Sequence, residues 1–311
     1  MTLHIKIHQV VCCLILPVLL PICLSGCIRE SLEGCPLDAL LKFTYKPDGT
    51  TSDLFGQRVQ RVTLCVYRPD GSIEHTQTLE STELSQLQGA ELYLPQGEYT
   101  VVCWANATAE NSKLGGFRKG ETITDLFLEH PQAQTSQEIP TLDKLLFATA
   151  SLSVNERNAG VATEVNFSTK TICLKVLLKG ISLKPKITTD GLASALHPVK
   201  DNDTGEWKVL PVEQGKTYVP AVEYDGTKKE AAAIMDVPRF GADTPAVLNL
   251  KDNAGNLIAP PVSIAELIRK YNIQIGEENE IVIPIEITFT NGHAKITIKD
   301  WESQNVKPGG V

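Results

Sequence analysis

Basic charge is scarce in this sequence. Twenty-nine Lys and Arg stand against 37 Asp and Glu, a net charge of −8, and no basic run interrupts the 311 residues. Nucleic-acid binders carry the opposite bias, so nucleic acid is excluded as the main partner. Long apolar runs are also missing beyond residue 23, and none approaches the roughly 18 residues of a membrane-spanning helix. The eight cysteines contain no C-x-x-C spacing, which removes the usual zinc and dithiol motifs. There is no G-x-S-x-G, H-E-x-x-H, Walker loop or dinucleotide fingerprint, so neither an enzymatic activity nor a cofactor is expected.

The remaining chemistry-bearing residues are scattered. His75, His130, His197 and His293 show no ligand spacing and are expected to be solvated surface residues; no metal site is expected. Asp201-Asn202-Asp203-Thr204-Gly205-Glu206 resembles part of a calcium loop but lacks the distal bidentate Glu, so a polar hairpin turn is the better reading. Thr227 to Glu230 reads as a solvated turn. Trp104, Trp207 and Trp301 each begin or end a strand-like segment, where core or rim packing is the commoner role.

What is present starts at the N-terminus. Lys6 precedes an uncharged run from Val10 to Cys23, interrupted by Pro17 and Pro21. That is the length of a secretory h-region and too short to span a bilayer. Leu24-Ser25-Gly26-Cys27 then resembles the bacterial lipobox. Residues 1–26 are therefore expected to be a lipoprotein signal peptide, with Cys27 the lipidated first residue of the mature chain and 27–36 a tether. Stable anchoring takes more than one acyl chain, a condition that a triacylated, palmitate-type Cys27 meets. Four cysteines then remain, Cys35, Cys65, Cys103 and Cys173. Export favours disulfides, and the strand-like settings of Cys65 and Cys103 leave a bond between those two open.

Strand signals follow at 37–45, 61–68, 72–79, 91–94 and 98–106, with a closing segment at 145–154. In Val62-Thr63-Leu64-Cys65-Val66 the apolar residues alternate, as in a half-buried strand. Pro47-Asp48-Gly49, Pro69-Asp70-Gly71 and Pro95-Gln96-Gly97 supply turns. The polar stretch 155–160 places a boundary between an N-terminal domain, 37–157, and a C-terminal domain, 158–311. Further strands are expected at 161–167, 171–181, 207–210, 217–222, 246–252 and 256–262. Ser263-Ile264-Ala265-Glu266 has capping-box spacing before Ile264, Leu267, Ile268 and Tyr271, which predicts one short amphipathic helix. Ile281, Ile283, Ile285, Ile287 and Phe289 alternate, Asn291-Gly292 supplies a turn, and Ala294, Ile296 and Ile298 return, which predicts a hairpin ending at Trp301. The class is all-β, an antiparallel sandwich or barrel.

Several segments together resemble the FimB/Mfa fimbrial anchor family, the minor lipoprotein subunits of type V pili. They are Cys27 with Cys35-Pro36, the strand Leu40 to Tyr45, and Arg61 to Gly71. With them go Leu94 to Ala105, Leu142 to Ala148, the capped helix, the final hairpin and Trp301. The resemblance implies two transthyretin-like antiparallel β-sandwich domains, with one short helix in the second. It implies a lipid-anchored protein, held at the outer membrane through acyl groups on Cys27 and exposed at the cell surface. Such a protein holds the pilus base, limits fibre length, and has a fimbrial stalk subunit as partner in cell adhesion. Pili of this kind join subunits by strand donation, in which a sheet missing a strand accepts one from a neighbour. Residues 302–311 are polar, contain Pro308, Gly309 and Gly310, and lack apolar alternation. The expected role is to accept a strand at the first domain, near 37–45, without donating one. The rival reading is a surface glycan-binding lipoprotein, which needs at least two of the three tryptophans exposed and coplanar.

Overall fold

The computed structural model describes residues 36–298, apart from 48–49, 119, 213–214, 277–279 and 292. The expected signal peptide, Cys27, Cys35, Trp301 and the residues after it lie outside the described residues.

The described chain is mostly strand. In the first half, alternation divides each strand between two faces. Strands β1 (Leu37–Thr44), β4 (Gly89–Leu94) and β10 (Ala162–Asn166) form a three-stranded sheet in the order β10-β1-β4. It packs on a five-stranded sheet ordered β11-β9-β5-β2-β3. That sheet comprises β2 (Arg61–Tyr67), β3 (Ile73–Glu80), β5 (Gly97–Ala105), β9 (Leu146–Val154) and β11 (Ser168–Thr169). Between them lies one apolar core that includes Leu41, Phe43, Leu64, Leu92, Val101 and Val165. Two short helices, α1 (Phe55–Arg58) and α2 (Ser81–Gln86), flank it. Glu80 and Glu83 cap α2 reciprocally, a signal the sequence reading missed because its cap is Glu rather than Ser or Thr.

The second half holds three sheets. One is ordered β17-β18-β12-β21-β22, with β12 (Thr171–Lys179), β17 (Val222–Asp225), β18 (Glu230–Pro238), β21 (Val282–Thr290) and β22 (His293–Ile298). Register aligns its inner rows, Leu174 with Met235 and Ile283, and Val176 with Ala233 and Ile285, all nearly or fully buried. The second is ordered β20-β19-β13-β16-β8, with β8 (Glu138–Ile139), β13 (Lys186–Leu192), β16 (Lys216–Tyr218), β19 (Val247–Lys251) and β20 (Val262–Ser263). The third, β15-β14-β7-β6, joins β6 (Lys113–Gly115), β7 (Phe127–Glu129), β14 (Ala195–Lys200) and β15 (Trp207–Val212). Helix α3 (Ile264–Lys270) follows the Ser263 cap, whose hydroxyl accepts from the Glu266 N–H.

The strand pairing departs from the expected organisation in two ways. Residues 162–169 were expected to open the C-terminal domain, yet β10 pairs with β1 and β11 with β9. In return β7 pairs with β14, and β8 with β16. Hydrogen bonding thus crosses residue 157 in both directions, because polar residues at 155–160 mark a surface turn and not a separation of cores. The sheets are also not wholly antiparallel: β1–β10, β12–β21 and β16–β8 are parallel pairs.

Candidate strand-acceptor site

β1 is the first described strand after the expected tether, and it occupies the centre of its sheet. Leu40 to Thr44 run parallel to Ala162 to Asn166, and Leu37 to Lys42 run antiparallel to Leu94 down to Gly89. The alternation Ala39, Leu41, Phe43 and Tyr45 turns one face inward, where Leu41 and Phe43 are wholly buried. The Phe43 ring meets Phe55 and Phe167 with centroids 5.6 Å apart in each case, edge-on to Phe167. Gly89 permits the close approach of β4: a Cβ there would lie 1.9 Å from the Leu41 carbonyl oxygen.

The end of β1 is fastened by side chains. The Asp53 carboxylate accepts from the Tyr45 N–H at 2.9 Å and the Phe55 N–H at 3.0 Å, and Gln88 donates to it at 2.6 Å. Burial raises the Asp53 carboxyl, but those donors outweigh it and hold the group below the usual carboxylate range. Thr44 donates to Glu164 at 3.2 Å or Asn166 at 3.3 Å on β10. Tyr45 reaches the second half, donating to Glu280 at 3.1 Å, where Arg58 (3.3 Å) and Lys144 (3.5 Å) also converge. The slot expected to await a partner's strand is therefore filled by the chain's own β1.

The other expected site residues are dispersed. Cys65 and Cys103 lie on adjacent strands but do not form a disulfide; Cys65, Cys103 and Cys173 are free thiols. The register explains this. Leu64 opposes Cys103 and Cys65 opposes Val102, so the two thiols point to opposite faces of the sheet and into different cores. Burial pushes the Cys65 thiol up to about 11 and that of Cys173 up to about 12. His130 is buried and not solvated as expected; its Nδ1 accepts from the Gln132 N–H, and desolvation lowers its pKa. Asp201 closes the β14–β15 hairpin, accepting from the Asp203 and Thr204 N–H groups and from Lys208 at 2.7 Å. Among the described residues no group of three His, Cys, Asp or Glu could hold a metal ion, and no helix is long and apolar enough to cross a membrane. Trp104 is 1% exposed and Trp207 is half-buried against the second core, so these two form no exposed stacking platform.

Solved structures share this fold. A Porphyromonas gingivalis fimbrial anchor protein, Mfa2, superposes with a TM-score of 0.62 at 16% identity, covering 86% of this chain and 98% of its own. A Bacteroides thetaiotaomicron protein proposed to bind polysaccharide gives 0.65 at 17%, with 85% and 96% covered. A Bacteroides ovatus protein proposed to be an adhesin gives 0.66 at 14%, with 85% and 94% covered. No protein of curated function matches by sequence. The family model for fimbrillin-A associated anchor proteins Mfa1 and Mfa2 matches residues 32–307, and the chain belongs to that family, among the fimbrial subunits.

Proposed function

We propose that this protein is a lipid-anchored minor fimbrial subunit of the outer membrane that receives a stalk subunit's strand and passes none on, so that the fibre ends at it. The position of β1 carries the strand reading. It is a central strand with a buried apolar face, and the expected lipid attachment, Cys27, precedes Leu37 by ten residues. At about 3.3–3.6 Å per residue that tether reaches no more than roughly 35 Å, which holds the first sandwich against the bilayer.

Acceptance at this site is an exchange. An incoming strand takes the place of β1 between β10 and β4, and the released β1 lengthens the tether without breaking the link to Cys27. Three inserted apolar side chains supply a gross ~5–9 kcal/mol at ~1.5–3 kcal/mol each. Withdrawing Ala39, Leu41 and Phe43 cancels a similar amount, so the incoming strand's pattern decides the outcome. Residues 302–311 hold only Val306 and Val311 as apolar positions, a composition unsuited to donation.

Two variants test the reading. Cys27→Ser should move the protein from the membrane to the soluble fraction; retention in the membrane would refute lipid anchoring. Asp38 and Tyr93 are antiparallel partners, so Asp38→Cys with Tyr93→Cys should staple β1 to β4 when oxidised. The reduced form should capture a peptide copying a stalk subunit's terminal strand and the oxidised form should not. Equal capture by both would refute exchange at β1.

A further inference from the structure

Exchange at β1 needs a reason for the incoming strand to win, since withdrawing β1 costs about what insertion gains. The inward row of β1 shows where that reason lies. Leu41 stands between Ala90 and Thr163, and Phe43 beside Val165, and both side chains are wholly buried. Phe43 also packs on the rings of Phe55 and Phe167, so neither position has room for a larger residue. Ala39 is different. A cleft of about 290 Å³ opens beside it, lined by Ala39 on β1, Thr163 on β10, and Leu152 and Val154 on β9. Those residues place the cleft between the two sheets. Ala39 shares the inward face with Leu41, and Thr163 is the parallel partner of Leu41. Leu152 and Val154 alternate inward from the facing sheet into the same core. Space is left there because β11 covers β9 only at Leu146 and Phe147. The 151–154 end of β9 has no further strand on that side among the described residues. Asn158 and Val161, both exposed, open the cleft to solvent.

We infer that this cleft is the side-chain pocket through which a partner's strand displaces β1, and that the stalk strand carries Val, Ile or Leu in the place of Ala39. The inference rests on the reading of exchange at β1 and adds what selects the strand. β1 underfills the space with a methyl group. A branched aliphatic side chain in the same register buries itself against Leu152 and Val154 without disturbing the Leu41 and Phe43 positions. The extra methylenes are worth at least about 10-fold in affinity. An ionised side chain is rejected there, because no charged group faces inward to pair with it. Asp38, the one charged residue at the cleft, alternates to the outer face, opposite Tyr93. Selection is therefore by size at one position. The chain's own strand is the weaker competitor and holds its place by being tethered.

The test uses the mature-length protein and two blocked peptides, read by fluorescence anisotropy up to 1 mM. Leu-Asp-Ala-Leu-Leu-Lys-Phe-Thr copies β1, and Leu-Asp-Leu-Leu-Leu-Lys-Phe-Thr differs from it only in the place of Ala39. The copy competes with a tethered strand of its own sequence, whose effective concentration is on the order of mM, so it should bind near the top of that range. The Leu peptide should bind at least 10-fold more tightly. Oxidising the Asp38→Cys, Tyr93→Cys staple should abolish both. Ala39→Leu in the protein fills the cleft from within; it should raise the melting temperature by about 2 °C or more and weaken the Leu peptide at least 10-fold. Equal affinity for the two peptides, with both lost on stapling, would overturn the pocket and leave exchange at β1 standing. A folded Ala39→Leu protein that melts below the wild type, or that takes the Leu peptide equally well, would do the same. If that variant does not fold, the peptide pair on the wild-type protein decides alone. Capture of neither peptide, or capture that survives stapling, would refute exchange at β1 and this inference with it.

Discussion

At the level of single residues, the least comfortable group in the molecule is Asp236. It pairs across the ladder with Cys173, and the 141–145 segment lies over it: the Leu142 N–H donates to its carbonyl, and the Thr141 hydroxyl accepts from its N–H. Its Oδ1 is buried with no hydrogen-bond partner. Desolvation pushes the carboxyl up to about 6, with Asp143 raising it further and Lys144, Cys173 and Lys175 opposing. The folded state therefore binds this proton more tightly than the unfolded chain. The stability contributed is present below the ordinary value near 4 and is lost as pH rises from about 4 to about 6. Asp236→Asn should accordingly stabilise the protein at pH 7 by up to roughly 3 kcal/mol, at 1.36 kcal/mol per pKa unit. The gain should shrink toward zero at pH 4. Urea titrations at the two pH values check this, and a gain independent of pH would mean that ionisation is not the cause. Nothing in the sequence marked Asp236, since its burial depends on residues nearly a hundred positions earlier. The pairing that the sequence leaves open for the cysteines turns on a simpler matter. Cys65 and Cys103 sit in true strands, but which face each occupies is fixed by register, and register is invisible until the strands are paired.

Among the elements, β1 gives the sharpest expectation. Gly89 stands where a Cβ would meet the Leu41 carbonyl at 1.9 Å, and backbone cannot yield as a flexible side chain does. Gly89→Ala should push β4 from β1 and cost about 1–3 kcal/mol, the usual range for overpacking. It should also speed amide exchange in 37–44 more than in β21, and unchanged protection of β1 would show that β4 does not hold it. The strongly alternating strands were legible: β1, β2, β5, β12 and the β21–β22 hairpin lie within a few residues of where the pattern puts them. So was α3, through Ser263 and its apolar face. β18 was not, because Glu230-Ala231-Ala232-Ala233 looks polar and helical; its inner face uses Ala231 and Ala233, small residues that fit under neighbouring strands and carry little hydrophobic signal. The expected strand at 256–262 shrinks to β20, Val262–Ser263, and the one expected at 217–222 breaks at Pro220 into β16 and β17. Three-residue strands such as β6 and β7 carry too few residues for any period to show.

For the whole molecule, the question is whether the two halves are separate bodies. The five-stranded sheet of the first half is apolar on both faces. Its inner face closes on the three-stranded sheet, while Cys65, Tyr67, Val102, Trp104 and Phe147 on its outer face join the core that runs through β12, β13, β18, β19 and β21. The Trp104 and Phe147 rings meet at 4.9 Å in an edge-on contact. This sharing, with the Glu280 cluster beside it, gives the sheet two neighbours, each of which loses a wall of its core if it unfolds. Two independent domains would melt in two steps, but a common wall predicts a single calorimetric transition. Trp104→Ala should then cost roughly 3–5 kcal/mol and lower that one transition by about 6–20 °C, at ~2–4 °C per kcal/mol for chains of this order. Trp207 lies on β15, in the second half of the sequence, and packs on the far side of the shared core, so its fluorescence in the variant follows the second half. That signal should fall at the lowered temperature together with the calorimetric peak. Were it to persist to the wild-type temperature while the first half unfolds beneath it, the halves would be separable, and a pull on the tether could open the first sandwich without disturbing the second.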